Sequence, residues 1–528
     1  MGTKKLQVWL PLLFSVVMVL GMIIGYQIRG NSKNSGFFYS GKSSSLQEML
    51  ELVKNKYVDA VSVDSLTELT ASAFLSHLDP HSVFIPASDF RDVNDELMGN
   101  FQGIGVEFQI FSDTVNVIRV IAGGPSEKAG LQIGDKFIKV NDTVQLAGKK
   151  IKSDDIRKKL RGPAGSSVKV TLIRDGVLKD VIIQRGNISI PSIDAAYIIA
   201  PQTGYIRINK FAERTYEEFM QTAEKLQKQG MQKMILDLRG NGGGLLSEAT
   251  AIADEFLDGD KLIVYTQGNK SPRVEYHCKK DGLFEKGKLV VLVDETSASA
   301  SEVLTGALQD WDRATIIGRR SFGKGLVQQQ FQLSDGSALR LTIARYYTPL
   351  GRNIQKPYDK GKEKYEEELL NRYHDGELVR ADTAKQNGPS FKTPGGHIVY
   401  GGGGIMPDIF VSADTSKISA SIGKLYYKNT LNNFVYQYFV QNRATLKSLK
   451  TVTEVITKCK SIDKDLNQLT AFAIKDSINL QNLSVKDKAE LSDKIQAVMA
   501  RQILGTEGYI EVLNNSDKTI QKAIATLQ

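Results

Sequence analysis

The sequence predicts a multidomain α+β protein, and its length and two changes of hydrophobic period support that prediction. At 528 residues the chain is too long for one hydrophobic core. Apolar residues follow a helical period up to about residue 95 and alternate as in short strands from about residue 99. From about residue 203 they mark strands and helices in turn. We therefore expect a small helical domain, a β-rich domain and an α/β domain, in that order.

The composition excludes several functional classes. The formal net charge of +9 comes from lysines spread along the chain, without the aromatic-interleaved basic motif of a nucleic-acid-binding protein. Cys278 and Cys459 are too few for a disulfide framework or a cysteine-rich zinc site, and the five histidines are scattered. The sequence therefore implies no metal site and no nucleic-acid partner.

The N-terminus predicts a single membrane anchor. Lys4 and Lys5 precede the uncharged stretch Leu6–Ile28, whose 23 residues suffice to cross a bilayer as a helix. The flanking lysines predict a cytoplasmic N-terminus, with the bulk of the chain in the periplasm or another extracytoplasmic space. A cleaved signal peptide is the alternative, although the run is long for such a signal and no small-x-small cleavage site follows it.

The predicted domain boundaries follow these patterns. Residues 1–30 form the cytoplasmic tip and anchor, 31–95 a helical region, 96–190 the β-rich domain, 191–412 the α/β domain with a charged insertion at 357–399, and 413–528 a Lys-rich helical extension.

Three serines in alternate positions stand between the buried strand KLVVLV and the helix ASEVLTGALQDW: Ser297, Ser299 and Ser301. At a strand-to-helix turn, free backbone N–H groups and the helix dipole favour an anion, which suits a nucleophile whose substrate develops an oxyanion. Ser299 and Glu302 also fit the S-x-x-E capping box, so a purely structural serine is the alternative.

A serine nucleophile needs a base, and Lys324 is the candidate. In RRSFGKGLVQQQ it lies between two glycines at the start of a strand, where burial and the cations Arg319 and Arg320 would lower its pKa. An exposed turn lysine is the alternative. A Ser–His pair is less well supported, because the histidines lie in the helical region, in loops or in the insertion: His77, His81, His277, His374 and His397.

The segment LDLRGNGGG, residues 236–244, is a third candidate element. A strand that runs into three glycines and then a helix forms a nest of backbone N–H groups for an anion. A phosphate loop is one interpretation, but the G-x-x-x-x-G-K-[ST] pattern is missing. Close approach of a substrate backbone is the other.

Together these three motifs resemble the carboxy-terminal processing peptidases, also called tail-specific proteases. TSASASE, FGKG.VQ and DLR.NGGG carry the resemblance, which extends from about residue 45 to 412. It implies a serine protease core of the crotonase/ClpP-like α/β type. It further implies that Ser299 is the nucleophile, that Lys324 is the base and that Gln328 orients the lysine. By the same resemblance, the amides of Gly244 and Ala300 form the oxyanion hole, and Glu302 and Asp310 match positions implicated in parts of the family.

The same family has a PDZ domain before the catalytic core, which the resemblance assigns to residues 96–190. GIGVEF resembles its carboxylate-binding loop, so that backbone amides would hold a terminal carboxylate while the peptide adds as a strand. The residues of that loop are Gly103, Ile104, Gly105 and Val106. Arg161 is a candidate regulatory residue that would contact the catalytic face in an active arrangement. LDPHS, near residue 78, matches the helical N-terminal region of the family.

The sequence thus predicts a membrane-anchored extracytoplasmic serine endopeptidase that uses a Ser–Lys mechanism and no cofactor. Its expected partners are flexible, apolar C-terminal tails of proteins, the membrane through the N-terminal helix, and an adaptor or oligomer partner through the C-terminal region. An inactive tail-binding scaffold is the first alternative, which the presence of both Ser299 and Lys324 opposes. A non-peptide hydrolase is the second, which the PDZ resemblance opposes.

Overall fold

The structure is a computed structural model that describes residues 15–22, 45–111, 113–146, 152–380, 388–414, 419–460 and 466–528. Within those ranges no helix is both long and apolar enough to cross a membrane. The chain divides into two compact units, Met1–Thr70 and Ala71–Gln528.

The first unit contributes helices. Residues 15–22 form α1, Ser45–Lys56 forms α2, and α3 (Val63–Ser76) begins in this unit. Of the predicted anchor Leu6–Ile28, only residues 15–22 are described, and they are exposed; the remainder of that prediction lies outside the described residues.

The chain between the first unit and the β-rich region is only partly helical. After α3 come the loop that contains LDPHS, strand β1 (Val83–Ile85) and helix α4 (Ala87–Met98). His81 therefore lies in the loop between α3 and β1, within the region predicted to be helical. Three apolar residues are too short a run to predict a strand from the sequence. Strand β1 forms because its main chain pairs with the edge of β18 (Ala338–Tyr347).

The β-rich region forms an antiparallel sheet in the order β3–β4–β5–β7–β8, with β6 paired to β5. A separate ribbon pairs β2 with β9. Apolar residues that alternate along the strands fill one core, in which Val117, Phe137 and Leu172 are fully buried. The elements are β2 (Asn100–Gly103), β3 (Val106–Phe111), β4 (Thr114–Val120), α5 (Pro125–Lys128), β5 (Lys136–Val140), β6 (Val144–Gln145), α6 (Ser153–Leu160), β7 (Ser167–Arg174), β8 (Val177–Gln184) and β9 (Gly186–Ser189).

The α/β region is built on a six-stranded sheet in the order β10–β11–β12–β15–β16–β21, parallel except for β10. Strand β15, LVVLV, is buried along its whole length because both faces of the sheet are covered. The strands are β10 (Ile193–Ala200), β11 (Thr203–Ile208), β12 (Lys233–Asp237), β15 (Leu289–Val293), β16 (Thr315–Gly318) and β21 (Ile409–Phe410).

Different parts of the chain cover the two faces of this sheet. Helices α7 (Thr215–Lys228), α8 (Leu246–Asp254) and α9 (Ala300–Asp310) pack on one face. The other face is covered by α17 (Thr506–Asn514) and α18 (Lys518–Leu527), whose buried side chains are Ile510, Ile520, Ala523 and Leu527. The last helices of the predicted extension are therefore part of the α/β sandwich.

A second, antiparallel sheet adjoins this core in the order β1–β18–β13–β14, with β17 paired to β18. Its further strands are β13 (Leu262–Gln267), β14 (Val274–His277) and β17 (Leu326–Gln332). The insertion adds helix α10 (Lys362–His374) and the hairpin β19 (Ser390–Lys392) to β20 (Ile398–Tyr400).

The remaining helices of the C-terminal region share their own apolar core and also contact the β-rich region. The rings of Phe111 and Tyr436 lie 5.4 Å apart, and Arg443 donates a 3.1 Å hydrogen bond to the Ile133 carbonyl. These helices are α11 (Ala420–Tyr427), α12 (Thr430–Gln441), α13 (Arg443–Leu446), α14 (Val452–Lys460), α15 (Leu466–Ile474) and α16 (Val485–Leu504).

Candidate active site

The turn between β15 and α9 holds Ser299 in an unusual backbone conformation. Its φ of 56° and ψ of −114° are rare for a residue with a side chain, and only 7% of its surface is exposed. Such conformations cost free energy and persist where the surrounding structure enforces them, which is common at active sites. Upstream, Asp294 fixes the turn by accepting from the main-chain N–H groups of Thr296 and Ser297 at 3.0 and 3.1 Å.

The three alternating serines differ in what their hydroxyls bind. Ser297 donates to the Leu238 carbonyl at 2.8 Å, and Ser301 donates to the Asn241 carbonyl at 2.9 Å. Both therefore tie the turn to the glycine-rich segment. The Ser299 hydroxyl instead faces the hydroxyl of Tyr346, whose pKa burial raises to about 12, so that Tyr346 stays protonated. Unlike Ser297 and Ser301, Ser299 donates to no main-chain carbonyl among the described residues, while its side-chain oxygen faces the Glu302 N–H in the capping box.

Glu302 joins the serine turn to the loop that contains Lys324. Its buried carboxylate accepts from the Ser299 N–H at 2.9 Å, which is the glutamate half of the predicted capping box. The same carboxylate accepts from the N–H groups of Gly323 and Lys324 at 2.7 and 2.8 Å and from the Ser321 hydroxyl at 2.5 Å. Burial raises the pKa of Glu302, against the effect of these donors. The main-chain N–H groups of the predicted nucleophile and the predicted base thus donate to the same carboxylate.

The Lys324 side chain is largely buried and binds one side chain of the next strand. Its Nζ donates to Gln328 Oε1 at 2.9 Å. The β17–β18 pairing is irregular between Val327 and Gln328, so the glutamine follows a local break in the ladder. Burial, followed by the charge of Arg340, lowers the pKa of Lys324, while Glu302 and Asp79 partly oppose that change.

The prediction that Arg319 and Arg320 supply the positive charge that lowers the pKa of Lys324 is wrong. Arg319 pairs with Glu295 at 2.6 Å, and Arg320 pairs with Glu377 at 2.6 Å, so both cations are already matched by acids. Arg340 lies 16 residues after the lysine in sequence but reaches it because β17 and β18 are neighbours. Sequence proximity alone could not identify it.

The glycine-rich segment packs directly against Ser299. A side chain at Gly243, where φ is 102°, would place its Cβ 2.7 Å from the Ser299 Cβ, and one at Gly244 would lie 2.1 Å from the Phe211 carbonyl oxygen. The N–H of Gly243 donates to Asn241 Oδ1 at 2.8 Å. By contrast, the N–H groups of Gly244 and Ala300 donate to no residue in the described part of the chain. These are the two amides predicted for the oxyanion hole.

The same segment is anchored by residues distant in sequence. Arg239 pairs with Asp237 and with Asp517, each at 2.7 Å. Burial alone would raise the pKa of Asp237, but the Arg239 guanidinium holds it below its ordinary value. Asp517 also caps α18 by accepting from the Thr519 N–H at 2.7 Å. The C-terminal helix is therefore linked to the nest, which nothing in the local sequence indicated.

Two residues outside the predicted site contact the lysine loop. His81 offers its carbonyl to Gln328 Nε2, and its ring nitrogen Nε2 shares a 2.7 Å hydrogen bond with the Tyr365 hydroxyl. Burial and then Lys324 lower the pKa of His81 to about 4, so its ring is neutral at physiological pH. Tyr365 comes from α10, which shows that the predicted insertion packs behind the loop. The LDPHS motif was the available signal for His81.

The predicted carboxylate-binding loop connects β2 to β3. Gly103 ends β2, Ile104 is buried, Gly105 has a φ of 77° and Val106 begins β3. The carbonyls of Ile104 and Gly105 accept from Ser126 and Ile121 at 2.9 and 3.1 Å, whereas their N–H groups donate to no described residue. Ile104 shares the apolar core with residues of α6, a suitable floor for an apolar terminal side chain.

Arg161 does not contact the catalytic loops in this structure. Its guanidinium pairs with Asp92 of α4 at 2.5 Å and lies 4.8 Å from the centre of the Phe101 ring. A regulatory contact of Arg161 with the catalytic face in an active arrangement therefore stays a prediction.

Three family models match the chain. Peptidase family S41 matches residues 202–361, a PDZ domain matches residues 117–174, and a family of unknown function, DUF8443, matches residues 422–505. The first match includes the glycine-rich segment, Ser299, Lys324 and Gln328. The third lies in the C-terminal helices, outside the α/β sandwich.

Named relatives agree with these matches. The "Carboxy-terminal-processing protease" of Bartonella bacilliformis is 37% identical over 315 residues, which cover 58% of this chain and 71% of that protein. The "Probable CtpA-like serine protease" of Staphylococcus haemolyticus is 32% identical over 355 residues, 66% of this chain and 71% of that protein. A solved photosystem II D1 C-terminal processing protease shares 31% identity over 58% of this chain and 83% of its own, with a TM-score of 0.33. The chain therefore belongs to the carboxy-terminal processing peptidases and is a serine peptidase of family S41.

Proposed function

We propose that this peptidase is anchored in the membrane, faces the extracytoplasmic space and cleaves proteins at or near apolar C-terminal tails, with Ser299 as nucleophile and Lys324 as base. The observation that carries the proposal is the single carboxylate of Glu302, which binds the main chains of both residues. Burial and the charge of Arg340 lower the pKa of Lys324, the direction that favours a lysine acting as a base.

The mechanism is acyl transfer. Neutral Lys324 Nζ accepts the hydroxyl proton while Ser299 Oγ bonds to the scissile carbonyl carbon. The carbonyl electrons move onto its oxygen, which the N–H groups of Gly244 and Ala300 stabilise. When the carbonyl re-forms, the C–N bond breaks and the Lys324 ammonium returns its proton to the leaving amine. Water then attacks the acyl group and gives one proton to Lys324, which passes it to the departing Ser299 oxygen.

Tail recognition rests on the PDZ domain. The N–H groups of Ile104 and Gly105 have no acceptor among the described residues, so a terminal carboxylate can accept from them. The apolar core beneath Ile104 favours an apolar last residue. A peptide bound at this loop would pair with the edge of β3.

The anchor and the location rest on the sequence. Lys4 and Lys5 followed by Leu6–Ile28 favour a helix that spans the membrane once, with residues after Arg29 outside the cytoplasm. We assign any contact with an adaptor or a second copy to the helical region 420–504, which has its own apolar core.

An inactive tail-binding scaffold is the competing function. It predicts tight binding without cleavage, and it requires that neither Ser299 nor Lys324 be used. Ser297 and Ser301 donate their hydroxyls to main-chain carbonyls, whereas Ser299 faces the Tyr346 hydroxyl, a difference that is hard to explain on that basis.

The test is cleavage of a folded protein that ends in an unstructured apolar tail, followed by intact mass. The full chain is compared with Ser299→Ala, Lys324→Ala and the matched variant Ser301→Ala. We expect the wild type and Ser301→Ala to shorten the substrate and the other two variants to leave it intact. A substrate that ends in acidic residues should be cut more slowly. Binding of the tail without cleavage by any variant would support the scaffold instead.

A further inference from the structure

We propose that Asp79 is a positioning residue for the base: it fixes the loop Pro80–Ser82, whose His81 carbonyl orients Gln328 toward Lys324. This inference rests on the proposed Ser–Lys mechanism. It gives a mechanical role to the LDPHS motif, which lies more than 240 residues before the lysine in the chain.

The Asp79 carboxylate accepts several hydrogen bonds from the loop that follows it. The carboxylate is buried and accepts from the N–H groups of His81 and Ser82 at 2.8 and 2.9 Å. It also accepts from the Ser82 hydroxyl at 2.5 Å and from the Thr342 hydroxyl at 3.0 Å. Four donors on one carboxylate fix both the conformation of the loop and its position on β18.

The loop is also joined to β18 through its main chain. The Thr342 N–H donates to the Ser82 hydroxyl at 3.1 Å, and β1, which follows the loop, pairs with β18 from Val83 to Ile85. Thr342 is in turn the cross-strand partner of Gln328. Asp79 and Gln328 are thus held by the same residue of β18.

The His81 carbonyl then determines how the glutamine amide is turned. Because that carbonyl can only accept, the Gln328 group that faces it must be the NH₂ group. The amide oxygen is therefore directed to Lys324 Nζ, 2.9 Å away. A shift of the loop would release the amide and, with it, the lysine.

Asp79 has a second, electrostatic effect on the base. The groups that act on Lys324 are Arg340 on β18, Glu302 on α9 and Asp79 on the loop, and the lysine in turn lowers the pKa of His81. The negative charge of Asp79 raises the pKa of Lys324. Removing that charge should lower the pKa of the base, whereas moving the loop without removing the charge should not.

The experiment measures how fast a fluorophosphonate labels Ser299 in the full chain as a function of pH. This reaction needs the nucleophile and the base but no tail recognition. For Asp79→Asn we expect labelling about ten- to a hundredfold slower at the plateau, because the lysine is misplaced. We also expect the midpoint of its pH dependence to move to lower pH. For Ser82→Ala, which keeps the charge, we expect slower labelling with an unmoved midpoint.

Asp335→Asn is the matched control. Asp335 accepts from the N–H and the hydroxyl of Ser337 at 2.9 and 2.6 Å, the same kind of turn, in the connection that leads into β18. Its labelling rate and midpoint should equal those of the wild type. Thermal melting of each variant establishes that it is folded. If Asp79→Asn does not fold, the labelling rates of Ser82→Ala and Thr342→Val test the inference instead.

Each outcome separates the two hypotheses. If the wild type is not labelled at Ser299, the proposed mechanism fails and the inference fails with it. If the wild type is labelled and the Asp79 and Ser82 variants match it, only the inference fails. Slower labelling of Asp79→Asn with an unmoved midpoint, or an equal loss in the control, also overturns it. In a Gln328→Ala background the plateau effect of Asp79→Asn should shrink, because the two residues act through one contact.

Discussion

Lys324 can act as a base only when its ammonium has lost a proton, and burial and Arg340 both favour that loss. We expect kcat/KM for tail cleavage to rise with pH through the lowered pKa of this lysine. In Arg340→Gln the like charge is gone, so the pKa of Lys324 rises and the rising limb moves to higher pH. The measurement is the pH profile of kcat/KM. Arg345→Gln, on the same strand but bound to Tyr358, should leave the limb in place, and an unmoved limb in both variants would contradict the assignment.

Two neighbouring glycines of the nest should differ sharply in their tolerance of a side chain. Gly243→Ala would put a Cβ 2.7 Å from the Ser299 Cβ at a φ of 102°, whereas a Cβ at Gly242 meets no atom within 4 Å. We expect Gly243→Ala to lower kcat/KM by about a hundredfold or more, because the nucleophile is displaced. Gly242→Ala should retain most activity. Equal losses in steady-state assays of the two variants would show that the nest does not support Ser299 sterically.

At the residue scale, motif spacing indicated Ser299, Lys324 and Gln328 as candidates, because each lies in a short segment with its own chemical pattern. The partners that tune them could not be found this way. Arg340 and Asp79 reach the lysine, and Tyr346 reaches the serine, only through the pairing of β1, β17 and β18. Sequence distance carries no information about such contacts.

At the element scale, α10 supports the lysine loop from behind. Arg372 on this helix is buried and donates to the Ser321 and Arg320 carbonyls at 3.1 and 2.6 Å, besides pairing with Glu377. We expect Arg372→Met to lower the free energy of unfolding by about 3 kcal/mol, because a buried pair loses one partner. Urea denaturation of the full chain measures it. Lys364→Met, at an exposed pair on the same helix, should leave the transition unchanged, and so a similar loss in both would refute the supporting role.

The type of an element was predictable where its pattern is long and failed where it is short. The strand–helix alternation of the α/β region predicts its strands and helices because each apolar run is bounded by turn residues. Strand β1 and the loop before it were assigned to a helical region, since three apolar residues have no period of their own. The role of α10 was missed because a charged helix with few apolar residues resembles an exposed excursion.

At the scale of the whole molecule, the C-terminal helices close the α/β sandwich. Ile520 is 1% exposed between α18 and the central sheet. We expect Ile520→Ala to cost about 2–5 kcal/mol in the free energy of unfolding through lost burial and a residual cavity. Ile474→Ala, at an exposed helical position, is the matched control and should have little effect. A small loss at Ile520, measured by thermal and urea denaturation, would contradict this packing.

The order of the regions along the chain could be predicted from changes of hydrophobic period. How the regions pack against one another could not. Residues 413–528 were predicted as a separate extension, because an amphipathic helix shows that it has a partner without showing which one. The link from Asp517 to Arg239 joins the end of the chain to the nest across 278 residues. Asp517 and Arg239 come together only when α18 packs on the folded sheet.

The most direct test of Lys324 as the base replaces its side chain chemically. Lys324→Cys removes the amine, and 2-bromoethylamine then rebuilds a lysine-like side chain that contains one sulfur and has a slightly more acidic ammonium. Cys278 and Cys459 are buried, and the treated wild type controls for their alkylation. We expect Lys324→Cys to be inactive and the alkylated protein to regain tail cleavage, with its pH limb below that of the wild type. Cleavage by untreated Lys324→Cys, or no recovery after complete alkylation shown by mass, would contradict Lys324 as the base.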